Sequence, residues 1–87
     1  MKMPSFLEVP EMHEDHVTLV PYCPHPGGEI TAVFLGPFEK NKDLFESERM
    51  PIKEAIEAAQ RRAKSKKCDV VVLDHQKLWD PAHGDLI

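Results

Sequence analysis

The chain has 87 residues, of which 41% are hydrophobic and 30% charged, and its net charge at neutral pH is −4. That length holds one domain, and folding buries only about 60–65% of the unfolded chain's surface, so the core is small. A modest acidic balance excludes a global attraction to phosphate backbones and leaves only a local basic patch for that purpose.

Residues 1–15 read as a lead-in. Phe6, Leu7 and Val9 suit a short edge strand, kept short by Pro4 and Pro10. "HVTLVPY" (16–22) is β-branched and reads as a strand ending at Pro21. "PHPGG" cannot join a ladder, because prolines lack the donor and glycines favour turns. "EITAVFLGPF" (29–38) is a second strand, with Ile30, Ala32 and Phe34 on one side and Thr31, Val33 and Leu35 on the other. The two strands make a hairpin. "EKNKDLFESER" (39–49) is a polar connector with an apolar plug at Leu44 and Phe45.

The strongest periodicity follows. "PIKEAIEAAQRRAKSKK" (51–67) sets Ile52, Ala55, Ile56, Ala59 and Ala63 on one helical stripe. Pro51 suits the start of a helix, and acids early with bases late match the helix dipole. An alanine-rich stripe lets the helix lie close on a sheet. "DVVVLD" (69–74) is unbroken and apolar, as in a strand covered on both faces. The tail, 76–87, carries turn signals at Asp80-Pro81 and His83-Gly84, and Leu78, Trp79, Leu86 and Ile87 give it material for a short last strand or a flap.

These elements predict a single α+β domain over 1–87, with ββαβ order and one amphipathic helix on one face of a three- to four-stranded, mostly antiparallel sheet. A right-handed crossover would set the last strand parallel to the second. One helix covers one face. The two-sided apolar pattern of 30–35 and 70–73 then asks for a second cover, from the tail or from another copy of the chain.

Two cysteines, Cys23 and Cys68, make no disulfide framework. No apolar run approaches the ~18 residues of a spanning helix, and "MKMPSFLEVPEMHEDH" lacks the apolar core of a signal peptide. A cytoplasmic location with reduced thiols is expected.

Four residue sets carry possible chemistry. His13, His16, Cys23 and His25 offer imidazole and thiolate donors of the kind tetrahedral zinc takes. Their spacing is not a common knuckle spacing, and a strand from Val17 to Tyr22 would hold the two pairs roughly 20 Å apart. Arg61, Arg62, Lys64, Lys66 and Lys67 could meet phosphates, although no stacking aromatics are interleaved with them. Val33 and Leu35 on the sheet, with Leu78 and Trp79 in the tail, form a candidate interface, since tryptophan is enriched in binding hot spots. Asp74, His75, Asp80 and His83 fall near one strand end, where α/β sheets place their sites. No nucleophile accompanies them, so no enzymatic activity and no cofactor are expected.

"EAIEAAQRRAKSKKCDVVVLD" resembles locally the helix and strand before the phospho-acceptor aspartate of response-regulator receiver domains, with Asp74 at the acceptor position. The acidic pair, hydroxyl residue and lysine of those domains have no counterpart here. The strand–strand–helix–strand order over 29–78 resembles certain small uncharacterised bacterial domains, which implies a fold and no functional residue. Small acidic proteins of this build are also encoded by phages. The expected role is a non-catalytic protein-interaction module that pairs with itself as a homodimer or with another protein. Zinc binding and phosphate or nucleic-acid binding are the alternatives.

Overall fold

A computed structural model describes residues 5–38 and 45–87; Pro4 and Leu44 lie outside them. The elements are β1 (Ser5–Glu8), β2 (Val17–Tyr22), β3 (Thr31–Leu35), β4 (Met50–Pro51), α1 (Ile52–Lys66), β5 (Val70–Val72) and β6 (Asp85–Leu86), with a 3₁₀ turn at Pro81–His83. They form one sheet in the order β4-β3-β2-β5-β1-β6.

The expected β2–β3 hairpin is present, with Leu19 opposite Phe34 and Pro21 opposite Ala32. Pro21 does not end the strand. Val17 N–H donates to Asp69 and Leu73 N–H donates to Leu19, so odd-numbered residues of β2 bond toward β5. Pro21 comes after β5 has ended, and its missing donor costs no ladder bond. The helix stripe is also as expected: Ile52, Ala55, Ile56, Ala59 and Ala63 are all buried. They pack on Phe6, Val17, Leu19, Ala32, Phe34, Val70 and Val72. Val71 and Leu73 are buried on the opposite face with Val9, so β5 is covered on both sides.

The sheet itself departs from expectation. Among the described residues it has six strands rather than three or four, and it is mixed: β5 pairs parallel with both β1 and β2, and β1 pairs parallel with β6. Among the described residues, the antiparallel strand pairs are β2–β3 and β3–β4, with one further antiparallel bridge between Leu35 and Glu46. The strand before the helix is the two-residue β4, which reverses the chain once more after β3. β5 is therefore parallel to β2 and runs opposite to β3, not parallel to it. β1 is not an edge strand, because β6 lies outside it.

The second cover also differs from the one expected. Going along the sheet, the β1→β2 connection moves one way, while β4→β5 and β5→β6 move the other way. Right-handed crossovers then put the first on one face and the other two on the opposite face. The contacts agree. Trp79, in the β5→β6 connection, packs edge-on against Phe6 at 5.5 Å on the helix side. The β1→β2 segment lies on the other face, where Val9 packs with Val71 and Leu73, and His13 N–H donates to the buried Thr18 hydroxyl at 3.0 Å. Residues 9–16, and not the tail, thus cover the second face.

Candidate functional site

Alternation along β2 and β3 puts Val20, Tyr22, Thr31, Val33 and Leu35 on the face away from the helix. The 9–16 segment shields the middle of that face, where Thr18 and Val71 are almost fully buried. It meets the hairpin at two places: Val20 packs against the Val9, Val71 and Leu73 cluster, and the Glu14 carbonyl accepts the Phe38 N–H at 2.9 Å just past β3. Val20, Val33 and Leu35 are only half-buried there, and Tyr22 is 43% exposed. Arg49 lies across this area with its guanidinium 4.6 Å from the centre of the Tyr22 ring, and it donates to the Thr31 hydroxyl at 3.2 Å. Glu46 bridges to Leu35 at the same edge. The result is an apolar strip with a cation and an anion on its rim.

The four residues read from the sequence as an interface do not share one surface. Val33 and Leu35 belong to this strip. Trp79 sits across the sheet against Phe6, with its indole N–H donating to Gly84 at 2.9 Å. Leu78 lines a separate cleft of about 440 Å³ beside Ile30 and Gln76. Sequence reasoning missed Val20, Tyr22 and Arg49. The first two were legible, because they alternate with Thr18 and pair with Val33 and Thr31 in the hairpin.

The histidine and cysteine set is divided by the length of β2. His13 and His16 meet at one end with ring centres 4.7 Å apart. The His16 Nδ1 atom accepts the Asp69 N–H at 3.1 Å, and the His13 Nδ1 atom is buried with no hydrogen-bond partner among the described residues. Cys23 and His25 lie beyond the other end. There the Cys23 thiol donates to the His25 carbonyl at 2.9 Å. The Gln76 side-chain amide bonds to both the N–H and the carbonyl of Cys23. The Pro/Gly loop is thereby tied down as a hairpin turn. Among the described residues, no group of three or more His, Cys, Asp and Glu side chains is placed to hold a metal ion.

Of the basic set, Arg61, Lys64, Lys66 and Lys67 are exposed around the last turns of α1. Lys67 takes the left-handed conformation at the helix end. Arg62 is half-buried and turned inward: its Nε donates to the Gly36 carbonyl at 2.6 Å, and its guanidinium lies 3.6 Å from the Phe45 ring centre.

Asp74 is buried at the end of β5. Its two carboxylate oxygens accept the backbone N–H groups of Leu78 and Trp79 at 2.8 and 2.9 Å. A carboxylate used in this way fixes a turn. His83 packs edge-on against Trp79 and His75 is exposed, while the bonds to the Asp74 carboxylate come from the Leu78 and Trp79 backbone.

No protein-family model, no curated protein and no solved structure matches this chain. Among the described residues no helix is long and apolar enough to cross a membrane.

Proposed function

We propose that the chain is a small non-catalytic interaction module that forms a homodimer through the outer face of the β2–β3 hairpin. It acts in the cytoplasm, of a bacterium or of a cell carrying a phage. One observation carries this reading: the 9–16 segment covers the β5 side of the outer face, where Val20 joins the Val9 cluster, and leaves Tyr22, Val33 and Leu35 partly exposed along β3 and the end of β2. Exposed apolar strips with a polar rim mark interaction sites. A second copy is the favoured occupant because the rim bears a cation, Arg49 over Tyr22 and Thr31, and an anion, Glu46 paired with Leu35. A two-fold-related copy presents the same pair reversed, so each cation meets an anion. The test is native mass spectrometry on wild type and on Val33→Lys. A doubled mass in wild type and a single mass in a folded variant support the reading. A monomeric wild type, or a dimer that ignores the substitution, removes it.

A second reading is anion binding through the helix end, favoured by the exposure of Arg61, Lys64, Lys66 and Lys67. Retention on heparin that falls steeply with salt supports it. Absence of retention at low salt removes it.

A further inference from the structure

In open sheets a crevice forms outside the C-terminal ends of two adjacent parallel strands whose connections leave toward opposite faces. β1 and β5 are such a pair. The chain leaving β1 crosses the outer face, and the chain leaving β5 crosses the helix face. A crevice of about 400 Å³ opens between them, a size typical of small-molecule sites. Val9, Pro10 and Leu73 give it apolar walls, and His75 lies on its rim.

Its charges are split between the two connections. Glu8 follows from β1, and Lys77 stands in the turn after β5, where a positive φ of 56° sets it apart from ordinary loop residues. The two form an ion pair at 3.5 Å, with side chains 38% and 80% exposed. An exposed pair of this kind is weakly held and easily opened. Asp74 adds negative charge below, but its oxygens are already taken by two backbone donors.

We infer that this crevice binds a small zwitterion, with one ammonium, one carboxylate and a short apolar body. An amine alone would meet Glu8 and be repelled by Lys77. A carboxylate alone would meet Lys77 and be repelled by Glu8 and Asp74. A zwitterion inserted between Glu8 and Lys77 gives each a new partner and lays its apolar part on Val9, Pro10 and Leu73. The site is separate from the hairpin strip, so it stands or falls independently of dimer formation.

The experiment is a titration of ¹⁵N-labelled protein, followed by amide shifts, with L-leucine, 4-methylpentanoate and 3-methylbutylamine in turn. L-leucine is expected to give saturable shifts at residues 8–10 and 73–77, with each single-charge analogue weaker by about tenfold or more. Glu8→Gln and Lys77→Met, both at exposed positions, are each expected to weaken L-leucine by about tenfold with the rest of the spectrum unchanged. Absence of saturable shifts with L-leucine would overturn the inference. So would analogues that bind as well as L-leucine, or two variants that bind it as wild type does.

Discussion

Arg62 of the helix holds the carbonyl of Gly36, the residue that follows β3, through a 2.6 Å bond from its Nε. The same guanidinium rests on Phe45, so one side chain joins α1, the end of β3 and the later part of the connection that leads to β4. Charge-assisted bonds contribute about 1.5–3 kcal/mol when half-buried. Arg62→Ala is expected to lower stability by about 2 kcal/mol, read from urea denaturation. Arg62→Lys should recover little of it, because an ammonium cannot donate from the Nε position while stacking on the ring. Equal stability of wild type and Arg62→Ala would refute this role.

Gly36 itself tolerates no side chain. Its φ is +81°, and a Cβ there would lie 2.9 Å from the His16 carbonyl. Gly36→Ala combines left-handed strain with a backbone clash and is expected to cost about 2–3 kcal/mol. A thermal midpoint unchanged from wild type would contradict it.

Asp74 organises the start of the tail. Asp74→Ala leaves the Leu78 and Trp79 N–H groups without their acceptor, at an expected cost of about 2–3 kcal/mol. Hydrogen exchange at those two amides should quicken more than exchange in α1. Asp74→Asn keeps one acceptor oxygen and should fall between the two. Uniform loss of protection across the chain would point to a global effect instead.

Trp79 is expected to act on folding and not on association. Trp79→Ala removes the edge contact with Phe6 and should cost about 3 kcal/mol. Trp79→Phe should cost less, because it retains one aromatic ring and loses the bond to Gly84 with the second ring of the indole. Neither variant is expected to change the native mass at concentrations where it is folded. A stable, folded and monomeric Trp79→Ala alongside a dimeric wild type would move the interface to the tail.

The helix, the hairpin and the doubly covered β5 were legible because their patterns are strong. Ile52, Ala55, Ile56, Ala59 and Ala63 repeat at helical spacing, and Val70 to Leu73 leave no polar face. The parallel half of the sheet was not legible. β4 and β6 have two residues each, too few for any alternation, and their pairing is decided by where the rest of the chain brings them. The cover of the second face was hidden for a different reason. "EMHEDH" is polar and reads as solvated, and its grip on the sheet comes from Val9 and from the backbone of His13 on Thr18. The zinc set looked dense in sequence, yet β2 stands between its two pairs. The Glu8–Lys77 crevice had no sequence signal, because its two sides are joined by strand order alone.

That strand order also sets a sequence of events during synthesis. β1 and β2 both lean on β5, which comes after the whole of α1. As the chain leaves a ribosome, the hairpin can close and the helix can begin to dock, but β1 has no neighbour until Val70–Val72 emerges. Until then, Phe6 and Leu7 travel as a sticky flag on an unfinished protein. Non-local pairing of this kind is slow and exposes the chain to aggregation. A nascent chain stalled before residue 70 should therefore be the species that a chaperone holds longest.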